Sequence, residues 1–288
     1  MSPTTGDVLV AVADPAHVQQ LVRTASDLAR VSSGDVRLVT VAVKPYDSPF
    51  GVFDDDTIRR DFAGDSKRLL DAVDAPADIT LTRDVVVGRS VASGLRSAVE
   101  SADPAALVVG WGGVTDRSDA ALGTTVDTLV ERVPCDLYVE RTGREADGVE
   151  SVLLPVAGGP HVEPAGRIAV AIAAANEARV SVVSVETGSG DAESHVTDAA
   201  ATLRAIDSDV SVTTAVLDDG SIPDAIAGVA DDHDVLVLGA TRGSGLRRRL
   251  LGSVPTRVAD RTDSTLILAR AGSVVGGPLD RVGKLIGR

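Results

Sequence analysis

At 288 residues the chain is long enough for two domains of ordinary size, each burying its own core. Its formal net charge of −14 is carried mainly by aspartate against three lysines, Lys44, Lys67 and Lys284, a surface that opposes nonspecific nucleic-acid binding and anionic membranes. One cysteine, Cys135, excludes an intrachain disulfide framework, no Cys/His cluster has zinc spacing, and the predominance of Ala and Val over aromatics fits β-branched strands packed under alanine-rich helices.

Val8 to Ala13 reads as a strand, punctuated by Asp14-Pro15 and followed by a helix periodic through Leu21, Val22, Ala25, Leu28 and Ala29. Ser33-Gly34 ends that helix, and Val36 to Val43 is the next strand. An aspartate-rich piece from Lys44 to Asp61, holding Tyr46, Phe50 and Phe53, leads into a helix up to about Val73. Ile79 to Val87 is a strand, Ser90 to Ser101 a helix, and Leu107 to Gly110 a strand. A helix from about Leu122 to Arg132 and a fifth strand, Asp136 to Arg141, complete the unit. Strands alternating with helices imply a parallel, doubly wound sheet with right-handed crossovers.

The second half repeats the first. Val8 to Val18 answers Val152 to Val162, and Val36 onward answers Val180 onward, each 144 residues later. Leu107 onward answers Leu236 onward, and Gly123-Thr124 answers Gly252-Ser253, each 129 residues later; the difference of fifteen residues falls where the first half carries its aspartate-rich piece. The fold class is therefore α/β, as two tandem Rossmann-like units, each a five-stranded parallel sheet in a three-layer α/β/α stack. The expected domains are residues 1–144 and 150–272, joined by the polar linker Thr142 to Glu150. Residues 273–288 form a tail with Leu279, Val282, Leu285 and Ile286 on one helical face, a short amphipathic helix that packs on its own domain or docks on an anionic membrane or membrane protein.

The stretch from Leu107 to Arg141 carries the chemistry. A strand enters glycines at 110, 112 and 113, and a second glycine with a hydroxyl, Gly123-Thr124, opens a helix. Glycines let the main chain approach a phosphate, the helix N-terminus supplies N–H donors and a favourable dipole, and Thr124 adds a hydroxyl. A receiver-type phosphorylation site is excluded because the third strand ends Val85-Val86-Val87-Gly88 without an acceptor aspartate, and a flavin fits poorly with so few aromatics.

The spacing G-x2-G-x9-G-T on Gly110, Gly113, Gly123 and Thr124 resembles the ATP-binding signature of the universal stress protein family, whose fold is adenine nucleotide alpha hydrolase-like. The resemblance implies phosphates on Gly110, Gly113, Gly123 and Thr124, with the Thr125 N–H pointing inward, and adenine near Val41 at the end of the second strand. In ATP-binding members an aspartate follows the first strand; here ungapped alignment puts Ala13 there, and Asp14 stands one residue later. The implied ligand is ATP, or ADP or AMP, with magnesium as companion. In the second half Val185, Gly239, Gly252 and Ser253 form a weaker site, because Arg242 stands at the second glycine position, Gly243 is displaced by one, and Gly158 and Gly159 replace Asp14 and Pro15.

Arg247, Arg248 and Arg249 either grip a nucleotide phosphate or an acidic partner or form a solvated helix start, and the run is too short for a nucleic-acid patch. His17 and His161 occupy equivalent places one turn into the first helix of each half, where surface packing is the common role, and Trp111 either walls the pocket or packs. No nucleophile motif pairs with a histidine, so no catalytic residue and no metal site is assigned. The fifth strands, Asp136 to Arg141 and Thr265 to Arg270, are apolar edges that call for a partner, and the resemblance implies that the halves meet there as an intramolecular pseudo-dimer, with a further homodimer as an extension. The reading is a cytoplasmic, ATP-binding regulator of stress response whose site lies mainly in the first unit. The alternatives are a non-nucleotide module regulating a membrane transporter, which the GW and GATR loop variants resemble, and a slow ATPase. No charged-then-apolar leader and no apolar run near the roughly 20 residues that span a bilayer accompany this reading. The aspartate-rich, lysine-poor composition resembles proteins of halophilic, haloarchaeal-type cytoplasm, where salt screens self-repulsion.

Overall fold

The computed structural model describes residues 6–44, 53–74, 76–112, 124–188, 190–218, 221–239, 257–259, 261–262 and 264–274. The first half runs β1 (Val8–Ala11), α1 (Val18–Ser32), β2 (Val36–Val43), α2 (Asp55–Thr57), α3 (Gly64–Asp71), β3 (Leu81–Gly88), α4 (Val91–Ala102), β4 (Ala106–Gly112), α5 (Thr124–Arg132) and β5 (Asp136–Thr142). The second half runs β6 (Ser151–Pro155), α6 (Val162–Asn176), β7 (Arg179–Val185), α7 (Ala192–Ile206), β8 (Ser211–Leu217), α8 (Ile222–Ala230), β9 (Val235–Gly239) and β10 (Thr265–Arg270). The strands form one sheet in the order β3-β2-β1-β4-β5-β10-β9-β6-β7-β8. Every neighbouring pair is parallel except β5 with β10.

The apolar runs become central strands because both faces are covered by helices, leaving Val8, Leu9, Val10, Leu107, Val108, Leu236 and Val237 without solvent contact or nearly so. Helix boundaries follow local chemistry. Ser33 adopts the left-handed conformation at φ 53°, and the Gly34 N–H donates to Ala29 O at 3.0 Å to close α1. Ser90 and Ser93 form a reciprocal capping box that starts α4.

The first strand stops at Ala11 rather than Ala13 and the third spans Leu81–Gly88 rather than Ile79–Val87, and two further departures from the sequence reading have a visible cause. The helix expected up to Val73 is broken into α2, a π-helical turn over Ile58–Phe62, and α3. Arg59 of that turn donates from Nε to Val85 O at 3.0 Å, blunting the exposed edge strand β3. The strand expected to break at Gly110 continues to Gly112, because β5 runs on to Thr142 and pairs with it through Gly110↔Glu140 and Gly112↔Thr142.

The halves join through β5 and β10, whose antiparallel register sets Ile267 opposite Glu140, Leu268 opposite Val139 and Ala269 opposite Tyr138. The two strands that would be apolar edges thus satisfy each other's backbone. An arginine at the end of each strand reaches into the other half. Arg141 donates to Ala259 O at 2.9 Å, to Thr262 O at 3.0 Å and to Ser264 O. Arg270, its repeat counterpart, donates to Val133 O at 2.8 Å and Cys135 O at 3.3 Å. Both are buried, and burial pulls the Arg141 guanidinium down to about 10, which leaves it charged at neutral pH. Tyr138, fully buried, donates to Pro164 O at 3.1 Å, and α1 packs on α6 across the same seam.

Replacing Arg141 by Ala strands several buried carbonyls, so chemical denaturation is expected to show a loss of about 3 kcal/mol, with Arg141→Lys recovering part of it. A stability loss below about 1 kcal/mol for the alanine variant contradicts a structural role for the clasp.

Glu140 is also buried at the seam, 2% exposed, with Oε1 accepting from Gln20 Nε2 at 2.7 Å. Burial pushes its carboxyl up to about 7, against the hydrogen bonds from Thr24 and Gln20. A raised carboxyl favours the neutral acid in the fold, so its contribution is full below about 4.5, falls as pH rises through 7, and amounts to a penalty on the order of 3 kcal/mol above that. Asp27, pushed up to about 6 by burial, declines over a similar window. Urea midpoints at pH 5 and pH 8.5 should therefore differ less for Glu140→Gln than for the native chain, and the difference between the two proteins isolates Glu140.

Candidate functional site

In each half the chain leaves the sheet in opposite directions from two adjacent strands, β1 and β4 in the first, β6 and β9 in the second. Crossovers that diverge at such a switch point leave a crevice beyond the strands' carboxyl ends. Both crevices are present.

The first has a volume of about 610 Å3 and brings Asp14, Val41, Gly110 and Thr125 onto one wall system, together with His17 and Trp111. Asp14 lies in the turn after β1, exposed, where Oδ1 accepts from the Ala16 N–H at 2.9 Å. Val41 lies two residues before the end of β2 and is met by α4 where Gly94 leaves space; a Cβ on Gly94 would come within 2.7 Å of Val41 Cγ1. Thr125 lies in the first turn of α5, whose N-terminal N–H groups have no intrahelical acceptors. Thr124 begins that helix; its side chain, and Gly113 and Gly123, lie outside the described residues. The indole Nε1 of Trp111 is shielded from solvent and has no acceptor among the described residues, a donor on the cavity wall.

Gly110 has a packing role as well. An added Cβ would lie 2.8 Å from Thr142 Cγ2 and 3.1 Å from Leu21 Cδ1, so the glycine lets α1 and the end of β5 close on β4. Its counterpart Gly239 makes the same allowance for His161, whose Cβ would stand 3.2 Å away.

The second crevice, about 380 Å3, gathers Val185 and Gly239 with His161 and His195. Gly252, Ser253, Arg242, Gly243, Arg247, Arg248 and Arg249 lie outside the described residues, as does the tail 276–288. The two cavities match position for position along the repeat: Ala11 with Pro155, Thr40 with Ser184, Val41 with Val185, Leu95 with Ile226. Differences concentrate at the mouth. Gly158 stands for Asp14 and Ala165 for Leu21, while α7 adds Ala192 and His195.

The histidines sit otherwise than expected. His17 and His161 are the N-cap residues of α1 and α6 rather than one turn inside, and each lines its cavity. His161 is buried, with Nδ1 accepting from the Ala271 N–H at 3.1 Å, which places its ring proton on Nε2. His195 carried no signal in the sequence; only the packing of α7 over the turn after β6 brings it to the cavity. Cys135 is a free thiol pushed up to about 12 by burial. Among the described residues no group of three or more His, Cys, Asp or Glu is placed to hold a metal, and no helix is long and apolar enough to cross a membrane.

The family model described as the universal stress protein family matches residues 5–141 and again residues 148–270. Over nearly its whole length the chain is similar in fold to a universal stress protein from Archaeoglobus fulgidus, with a TM-score of 0.62 and 13% identity, covering 92% of this chain and 96% of that one. The cytoplasmic domain of a prokaryotic cation chloride cotransporter gives a TM-score of 0.53 and 14% identity, covering 94% of this chain and 97% of that one. A universal stress protein in complex with cAMP aligns at 23% identity over 43% of this chain and 99% of its own, with a TM-score of 0.38. No curated protein matches the chain significantly.

Gly158 and Gly159 offer a test of the second mouth. Both have positive φ, +71° and +86°, but a Cβ meets His195 Nε2 at 3.0 Å only at Gly158. Gly159→Ala should cost about 1 kcal/mol from backbone conformation alone. Gly158→Ala should cost more and shift the His195 imidazole resonances, which Gly159→Ala leaves in place.

Proposed function

Because the chain belongs to the universal stress protein family over two tandem units, we propose that it is a ligand-responsive regulator of stress adaptation whose first cavity binds ATP or another adenine nucleotide. The observation that carries this reading is the convergence of Asp14, Val41, Gly110 and Thr125, from four separate segments, on one crevice at the β1/β4 switch point. In this reading the base rests against Val41 and the apolar walls, and the ribose lies toward Asp14. The phosphates lie at the N-terminus of α5, where Thr125 and the preceding glycines Gly113 and Gly123 receive them. Trp111 Nε1, without an acceptor among the described residues, supplies a further donor, which fits a ligand rich in acceptors. Regulation rather than rapid turnover fits a cavity whose one lining carboxylate among the described residues, Asp14, is held in its own turn by Ala16.

Calorimetric titration of ATP and AMP with magnesium should give about one site per chain, weakened at least tenfold by Gly123→Asp and by Trp111→Leu. Absence of heat with ATP, ADP and AMP refutes the nucleotide reading. It would favour an interaction module acting on a membrane transporter, for which the cotransporter domain offers a common fold and no more. A slow ATPase would instead release phosphate with magnesium and lose that activity on Gly113→Arg.

A further inference from the structure

The second cavity is the repeat counterpart of the first, yet its chemistry differs at the mouth. In a chain with 42 acidic residues, no carboxylate lines it among the described residues, whereas two of the chain's four histidines do. Where the first cavity presents Asp14, the second has Gly158, and the imidazole of His195 lies against that glycine with Nε2 3.0 Å from the position a Cβ would take. The lack of a side chain at residue 158 leaves room for the ring. The acid of one mouth is thus replaced by an imidazole in the other. Glu163 of α6 and Asp198 of α7 line an adjoining groove that shares Gly158, Val162 and His195 with the cavity.

Deeper in, the walls are aliphatic: Val156, Val183, Ile226 and Leu238, with Ala165 opening space that Leu21 fills in the first half. No lysine or arginine lines it among the described residues. The polar lining comes from His161, whose Nδ1 accepts from the Ala271 N–H, and from His195, Ser184 and Thr187. Aliphatic walls with two imidazoles among the described lining suit an apolar body that carries one acceptor group for an imidazole to meet.

We propose that the second cavity binds a small amphipathic carboxylate, a short aliphatic acid with its chain among Val183, Ile226 and Leu238 and its carboxylate accepting from the His195 imidazole. This site is independent of the nucleotide reading of the first cavity and survives its failure.

The test titrates sodium hexanoate and 1-hexanol into the full chain by calorimetry, with and without saturating ATP. Hexanoate should bind at one site per chain and about tenfold more tightly than 1-hexanol, the worth of a hydrogen bond to a charged group. His195→Ala, which removes the donor, should reduce that preference to within about twofold, whereas His195→Gln, whose amide still donates, should keep part of it. Ala165→Leu should weaken both ligands, and ATP should displace neither. Equal affinity for the two probes, a preference that persists in His195→Ala, displacement of hexanoate by ATP, or no binding of either probe each overturns the proposal. Since His195 is only half-buried on a helix surface, His195→Ala keeps the fold, and its circular dichroism should match the native chain.

Discussion

A long apolar strand with an unpaired edge is a liability until something covers it, and here each half covers the apolar fifth strand of the other. β5 and β10 exchange backbone hydrogen bonds in the middle of a ten-stranded sheet, and Arg141 and Arg270 reach across to opposite halves. A buried guanidinium carries five donors and a charge, so it is tolerated only where carbonyls are gathered to receive it. Each half supplies those carbonyls for the other's arginine, at the ends of α5 and in the segment before β10. Neither half is complete alone in hydrogen-bonding terms.

That reciprocity preserves the two-fold relation between the halves while leaving the rest of each free to diverge. At the seam itself Glu140 stands where the second half has Ala269, so one side keeps a buried acid with Gln20 and the other a methyl group. Gln20 Oε1 also accepts from the Gly143 N–H at 3.2 Å, which ties this acid to the start of the linker. Away from the seam, the aspartate-rich insertion gives the first half its π-helical turn and a surface pair, Phe53 and Phe62, with ring centroids 5.2 Å apart. The second half lacks the insertion and lays a continuous helix, α7, over its cavity instead.

The cavities show how a duplicated scaffold supports unlike chemistry. Strand order dictates where a crevice opens, because helices diverge from β1 and β4, and from β6 and β9, whatever the side chains are. Side chains at the mouth then determine what can enter. An aspartate near a helix N-terminus and an indole N–H favour a ligand rich in polar groups, while two imidazoles above aliphatic walls favour a single charge on an apolar body. The second cavity is the smaller although Ala165 replaces Leu21 inside it, and Ala192 and His195 of α7 add walls that the first lacks.

The strands, their order along the chain, the duplication and the apolar fifth strands were all legible in the sequence. Strands buried on both faces must be runs of Val, Leu and Ile, and repeats preserve those runs at fixed intervals. That Asp14, Val41, Gly110 and Thr125 line one cavity was an expectation from the family resemblance, and carboxyl ends of parallel strands meeting on one side of a sheet give it a physical reason. Other features had no local signature. Gly110 reads as a phosphate turn, yet it is a strand residue that makes room for Leu21 and Thr142, side chains 89 residues before it and 32 after. His195 became part of a cavity only when α7 crossed the turn at Gly158, and Arg141 and Arg270 became a clasp only when two edges paired. Periodicity reports which face of an element is buried; which distant side chain it is buried against depends on how the elements cross, and only the tertiary structure decides that.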